Sequence, residues 1–265
     1  MTPPVVLAVG GTDSGGGSGL PGDLRTLAAL KVYGAAVVTG VYAQNTRGIA
    51  DVYPVPGNVV SAQLSAVLDD LKVAAVKTGA WASADACAAV TAKARAGVLP
   101  KLVVDPVLEA ARGASKGVLG ALERLLPFAL VATPNREEAS ALLGWQVASP
   151  ADMAGAASQL AAGGPKHVVI TGGDFITGDE AIDALWVEGA VRMLRAPRIK
   201  RDAYGSGTTF AAAIAARLAL GDGPVEAVTY AKGFVSRAIG DASDWRLGSG
   251  STPLDHFGWS SVRLG

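Results

Sequence analysis

The segment Asp202-Ala203-Tyr204-Gly205-Ser206-Gly207-Thr208-Thr209 stands directly before a strongly helical stretch, so its backbone amides converge at a helix N-terminus. Gly205 and Gly207 let the main chain approach an anion, and unpaired first-turn N–H groups together with the helix dipole favour negative charge. That is the chemistry of phosphate binding, although a Thr-capped helix after a plain loop uses the same letters. Asp105 follows Leu102-Val103-Val104 and Glu138 follows Thr133-Pro134-Asn135. Both carboxylates therefore fall at the carboxyl ends of predicted strands, the edge where open α/β sheets place ligands. Oxygen ligands of this kind suit Mg²⁺ or its waters beside a phosphate. In ordinary service Asp105 would cap a turn before Pro106 and Glu138 would be a solvated acid in a first helical turn.

A second group of residues suits a flat ring. The first apolar run ends in Gly10-Gly11-Thr12-Asp13-Ser14-Gly15-Gly16-Gly17-Ser18-Gly19, with Asp23 in the next helix. Main chain without side chains can contact a planar ligand, and an acid nearby can accept its hydrogen bond; a surface loop is the plainer alternative. The glycines do not keep the G-x-G-x-x-G order of a dinucleotide cradle with an acid about 20 residues on. Gln44, in Ala43-Gln44-Asn45-Thr46-Arg47-Gly48, offers a donor and an acceptor to a heteroaromatic edge, while Asn45 and Gly48 would serve a turn equally well.

Short Val-rich runs alternating with Ala/Leu stretches of helical period must position these groups, which is the pattern of β-α units and a mainly parallel sheet. Strands are expected at Val5 to Val9, Ala35 to Val41, Ala74 to Lys77, Leu102 to Asp105, Leu130 to Thr133 and His167 to Thr171. Helices are expected at Gly19 to Leu30, Asn58 to Leu71, Ala84 to Ala96, Lys116 to Leu125, Arg136 to Leu143, Pro150 to Ala162, Gly207 to Leu220 and Pro224 to Ile239. Ala213, Ala216 and Leu220, then Val228, Ala231 and Val235, give the last two an apolar stripe each. Alternation from Ala181 to Arg195 around Glu188-Gly189 predicts a hairpin. With no linker and no repeat, one domain is expected over residues 1–247, followed by an irregular tail, 248–265, packed on it or on a second subunit.

The chain of 265 residues is 50% hydrophobic and 17% charged, enough apolar surface for a compact core. Lys plus Arg and Asp plus Glu are 23 each, which supplies no field for a nucleic-acid backbone or an anionic membrane. A small molecule is the expected partner. One cysteine, Cys87, in an Ala-rich helix, no signal segment and no apolar run of about 18 to 20 residues point to a reducing cytoplasm. The two histidines, His167 and His256, make no zinc spacing with a cysteine or acid. Trp145, Trp186, Trp245 and Trp259 read as packing or interface residues.

Taken together the residues resemble the hydroxymethylpyrimidine and phosphomethylpyrimidine kinase family of thiamine biosynthesis, over nearly the whole chain. The resemblance rests on Gly11 to Gly19 with Asp23-Leu24, Val32-Tyr33-Gly34, Ala43 to Gly48, Val76-Lys77-Thr78-Gly79, Val104-Asp105-Pro106-Val107, Thr133-Pro134-Asn135 with Glu138-Ala139, and Ala231-Lys232. It implies an α/β, ribokinase-like fold, a central mainly parallel sheet flanked by helices on both faces. The activity implied is transfer of the ATP γ-phosphoryl group to 4-amino-5-hydroxymethyl-2-methylpyrimidine, its monophosphate, or both, with ATP and Mg²⁺ as cofactors and a homodimer as assembly. Gln44 and Asp23 would bind the pyrimidine, with Gly11 and Val107 lining its pocket. Asp105 and Glu138 would manage Mg²⁺ through water, with Asn135, Thr171 and Gly173 beside the nucleotide. Gly205, Gly207 and Thr208 would form the catalytic turn and Lys232 would face phosphate.

Three positions depart from the family pattern. The glycine loop is typically G-T-G-C, or G-x-G-D in pyridoxal kinases, and here its fourth residue is Thr208, whose hydroxyl cannot act as a base near neutral pH. A lysine usually stands where Thr171 does, so a positive charge is lost from the phosphate site. The run V-A-K-S-G is replaced by Glu109-Ala110-Ala111-Arg112-Gly113. A slower kinase, a pyrimidine-binding protein without catalysis, and a kinase for pyridoxal or another ring alcohol with selection reshaped at Ala80-Trp81 and Glu109, all fit these letters. Asp13, Asp23 and Asp202 are the carboxylates that could stand beside the acceptor hydroxyl in place of an acidic residue 208.

Overall fold

The computed structural model describes residues 2–108, 116–173, 178–201 and 203–261. Chain order runs β1 (Val5–Gly11), α1 (Gly19–Ala29), β2 (Tyr33–Asn45), β3 (Gly48–Pro54), α2 (Gly57–Leu68), β4 (Val73–Thr78), α3 (Ala84–Arg95), β5 (Leu102–Val104) and α4 (Lys116–Leu125). It continues β6 (Val131–Ala132), α5 (Arg136–Leu143), α6 (Pro150–Ala162), β7 (His167–Ile170), β8 (Glu180–Val187), β9 (Ala190–Pro197), β10 (Ala203–Tyr204), α7 (Ser206–Leu220), α8 (Pro224–Asp241) and β11 (Thr252–Pro253). The described residues form a nine-stranded sheet in the order β3-β2-β1-β4-β5-β6-β7-β8-β9 and a separate β10-β11 pair. Pairing is parallel from β2 through β1, β4, β5 and β6 to β7, and antiparallel at both ends.

Period-two alternation in the buried strands sends successive side chains to opposite faces. Leu7, Val9, Val76, Leu102 and Val104 join the core under α2, α3 and α4, while Val6, Ala75 and Val103 join the core under α1, α7 and α8. Val168 and Ile170 continue the first face beneath α5 and α6. Helices therefore cover both faces of an α/β sheet, as expected. Chain order reverses between β1 and β4, which makes their carboxyl ends the switch point where a crevice opens.

Several expectations need correction. The second strand continues through Gln44 and Asn45 and turns back as β3, which was not expected, because exposed Tyr53, Asp51 and Gly48 hide the alternation of an edge strand. The seventh helix has no one-sided stripe. Thr209 to Ala216 are buried all round, and Leu220 is exposed, because α7 is enclosed by α1, α8 and the sheet. The sixth strand shrinks to two residues. The tail is not irregular throughout, since β11 and a 3-10 turn at Trp259–Ser261 lie in it. Cys87 is buried in α3, and burial pushes its thiol up to about 12. Leu7→Ala, at a side chain with no exposed surface, is expected to cost about 2–5 kcal/mol, read as a lower urea midpoint with unchanged slope.

Candidate active site

A cleft of ≈ 590 Å³ opens at the switch point, lined on one side by Gly10, Gly11, Asp23, Gln44 and Val107 and on the other by Gly205 to Thr208. The two ends meet because the glycine loop and the phosphate turn touch. Gly205 has φ 87, and a Cβ there would collide with the carbonyl of Gly17; a Cβ on Gly17 would collide with the ring of Tyr204. Asp13 ties the two loops together. Its carboxylate accepts from the Gly15 and Ser18 amides, both at 2.8 Å, and from the Ser18 hydroxyl at 3.1 Å, and the Tyr204 hydroxyl donates to its Oδ2.

No side chain caps α7, and its first helical bond runs from the Thr209 amide to the Gly205 carbonyl at 2.9 Å. The amides of Ser206, Gly207 and Thr208 are thus the unpaired N-terminal donors, and all three residues line the cleft. A Cβ at Gly207 would meet nothing within 4 Å, so the approach to those amides is open. Thr208 stands beside α1, its methyl 3.3 Å from where a Cβ of Gly22 would lie.

The floor of the cleft holds a charged cluster in which Lys77, given no role from the sequence, joins Asp23 and Asp105. Lys77, at the end of β4 and 1% exposed, lies 2.8 Å from Asp23 and 3.7 Å from Asp105. Burial pushes the Asp23 carboxyl up to about 6, opposed by Lys77 and aided by Asp105. Burial likewise raises Asp105 against the pull of Lys77. For Lys77 burial works to lower the pKa, but the two carboxylates outweigh it and the net shift is upward. The signal for Lys77 was a lysine closing an otherwise apolar strand at the ligand edge of the sheet. Among the described residues, Asp23 Oδ2, the Tyr42 hydroxyl and the Thr133 hydroxyl are buried without a hydrogen-bond partner and belong to cleft-lining residues, so a polar ligand would satisfy them, while Asp105 Oδ2 faces the Lys77 ammonium at 3.7 Å.

Asn135 and Glu138 form a reciprocal capping box at the start of α5, at 2.8 Å in each direction, and both line the cleft, as does Thr171, which bridges to Asn135. Asp105 and Glu138 both line the cleft, and their carboxylates are hard oxygen donors of the kind that fits Mg²⁺ held through water. The open amides of α7 fit nucleotide phosphates.

Not every expected residue reaches the cleft. Gly173 does not line it, and neither does Lys232, whose ammonium is 2.7 Å from Asp183 while the other Asp183 oxygen accepts the Gly172 amide at 3.1 Å. Ala80 lines the cleft, but Trp81 is 1% exposed in the core. Of the carboxylates offered for the acceptor hydroxyl, Asp13 is engaged by the loops, Asp23 lines the cleft, and Asp202 lies outside the described residues, as do Glu109-Ala110-Ala111-Arg112-Gly113.

Comparison with known proteins places this arrangement among vitamin kinases. The phosphomethylpyrimidine kinase family model matches residues 13–255. A hydroxymethylpyrimidine/phosphomethylpyrimidine kinase of Streptomyces coelicolor is 43% identical over 98% of this chain and 96% of its own length. Among solved structures, an ADP complex of Bacillus subtilis pyridoxal kinase superposes with TM-score 0.90 at 32% identity, over 97% of this chain and 99% of that one. A phosphomethylpyrimidine kinase from Clostridium difficile superposes with TM-score 0.77 at 30% identity, over 88% and 100%. The fold is ribokinase-like.

Lys77→Met removes the cation between two buried carboxylates and is expected to destabilise the chain by about 3–5 kcal/mol in urea. Asp23 should then titrate above its value of about 6 by carboxyl-resolved NMR. The sign of its pH effect follows from the upward shift. Asp23 contributes stability that is fully present below its unfolded pKa and lost as pH rises through about 6. An Asp23 titration unmoved by Lys77→Met would rule out the pair.

Proposed function

We propose that this chain, which belongs to the phosphomethylpyrimidine kinase family, transfers the γ-phosphoryl group of ATP to the hydroxymethyl of 4-amino-5-hydroxymethyl-2-methylpyrimidine, to its monophosphate, or to both. The chain is a phosphotransferase of the kinase type. One observation carries the choice of site: the unpaired amides at the start of α7 line the same cleft as Gln44 and Asp23.

Each wall then has a task. Gln44 presents its amide to the ring edge; its Nε2 donates to the Ser18 hydroxyl at 3.3 Å, which fixes the orientation of the group. Asp23, held by Lys77, offers the orphaned Oδ2 to a ring donor. The amides of Ser206 to Thr208 face the charge that develops on the transferring group. Asp105 and Glu138 would hold Mg²⁺ through water. Bound Mg·ATP supplies the phosphoryl group and most of the charge neutralisation. Thr208 can hydrogen-bond the acceptor hydroxyl but not deprotonate it, and Thr171 adds a dipole where a cation is usual. Positioning and neutralisation dominate phosphoryl transfer, so these two threonines slow the reaction without removing its basis.

Transfer to pyridoxal is a second reading, favoured by the TM-score of 0.90 with the Bacillus subtilis pyridoxal kinase. ADP release measured with hydroxymethylpyrimidine, its monophosphate and pyridoxal separates the two. Turnover on a pyrimidine above that of Gly207→Asp, whose carboxylate repels phosphate, is the expected result. Binding of the pyrimidine by calorimetry with no turnover would instead mark a protein that binds without catalysis. Thr208→Cys is expected to raise kcat about 10- to 100-fold by restoring an ionisable group, with the rise following thiol ionisation as pH increases.

A further inference from the structure

Nine residues beyond α8 touch both halves of the cleft. The Gly250 amide donates to the Thr46 hydroxyl at 3.2 Å and the Ser251 amide to the Thr46 carbonyl at 2.9 Å, in the turn between β2 and β3 that follows Gln44. Contact there is close enough that a Cβ on Gly250 would collide with the Thr46 carbonyl. Ser251 itself lines the cleft. Thr252 and Pro253 then pair in parallel with Ala203 and Tyr204, the residues that lead into the phosphate turn. Finally His256 Nε2 lies 2.9 Å from the Thr209 hydroxyl in the first turns of α7, both side chains buried.

The segment is itself well anchored. The Asp255 amide donates to the Ala238 carbonyl of α8 at 2.9 Å, and the Asp255 carboxylate accepts from the Phe257, Trp259 and Ser260 amides at 3.2, 3.0 and 2.9 Å. Arg201 donates to the Thr252 hydroxyl at 2.7 Å. Burial, helped by Arg25 and least by Arg237 and opposed by Asp255 and a backbone bond to Leu254, lowers the His256 imidazole to about 4. It is therefore a neutral hydrogen-bonding partner at physiological pH rather than an acid.

We propose that residues 248–256 form a brace that sets the separation between the acceptor turn at Thr46 and the phosphate turn at Ser206 to Thr208, with His256 as its positioning residue. The inference rests on the kinase reading only for its catalytic consequence. Neither end of the brace need touch the reacting atoms. The Thr46 bonds use main-chain donors of the brace, and the Thr209 bond joins a side chain below the amides, so the brace acts through the turns it holds. Misplacing one reactant by about 1 Å costs on the order of 100-fold in rate, and ground-state binding of each ligand to its own half is largely spared.

The test compares the full chain with His256→Leu, His256→Gln, Thr209→Val, the double variant Thr209→Val/His256→Leu, and Gly250→Ala at the other end. With hydroxymethylpyrimidine and ATP, His256→Leu and Gly250→Ala are expected to lower kcat about 10- to 100-fold, with both KM values within about threefold of the parent. His256→Gln, which keeps a hydrogen-bonding group, should recover most of the rate, and the double variant should be no slower than the slower single one. A kcat for His256→Leu within about twofold of the parent overturns the proposal, as does a loss that His256→Gln leaves uncorrected. Amide hydrogen exchange keeps the test independent of turnover, so a parent without activity sinks the kinase reading alone. The brace predicts faster exchange in His256→Leu at both Ser206 to Thr209 and Thr46 to Gly48, with β1 and β4 unchanged. Exchange that rises at only one turn, or evenly throughout, overturns it.

Discussion

No side chain fits between Gly17 and Gly205, and the rest of the site depends on that contact. Two loops 188 residues apart in sequence must lie main chain against main chain, one of them in a left-handed turn that L side chains rarely adopt. Asp13 makes the approach favourable as well as permitted, since one buried carboxylate satisfies two amides of its own loop and the tyrosine beside Gly205. With the loops in contact, the donors at the start of α7 and the residues proposed to bind the ring line one cleft. Without it they would be two unrelated concavities.

The cluster on the floor works by a different balance. Two carboxylates and one ammonium, all withdrawn from water, carry a large desolvation cost that their attraction offsets only in part, which is why both acids are held above their ordinary range. Such an arrangement is poor value as a stabilising device. It makes sense as a ligand-facing surface with fixed orientation, because Lys77 pins Asp23 while an oxygen of the acid stays unsatisfied. The departures at Thr208 and Thr171 leave this floor untouched. On the proposed function, ring selection and speed of transfer would then fall to different residues of this chain.

Much of this was legible in the letters. Alternation of Val-rich runs with Ala/Leu stretches located the central strands along the chain, because strands buried on both faces are apolar throughout and helices between them keep their period. Asp23, Asp105, Glu138 and the turn at Gly205 to Thr208 were legible as cleft-lining residues because each falls near where a strand or a glycine loop meets a helix, whereas Gln44 lies where β2 turns into β3. What escaped notice depends on contacts distant in sequence. Lys77 looked like the polar end of a strand until Asp23 and Asp105 surrounded it. Lys232 looked available for phosphate, yet Asp183, on the hairpin of β8 and β9, holds its ammonium. The β3 strand lacks apolar alternation because only its pairing with β2, not burial, makes it extended.

The pairing of β10 with β11 has a consequence for biosynthesis. The residues that lead into the turn ahead of α7 find their strand partners in a segment made after α7 and α8, so a nascent chain that has already folded its main sheet still lacks the ladder partner of Ala203 and Tyr204. Ribosomes add about 5–20 residues per second, which leaves an interval of a few seconds in which the body is formed and the turn ahead of α7 has no ladder. A polypeptide ending just before Thr252 would keep every member of the three hydrophobic clusters and lose buried Leu254, so its sheet and helices would stand without the ladder that flanks the turn.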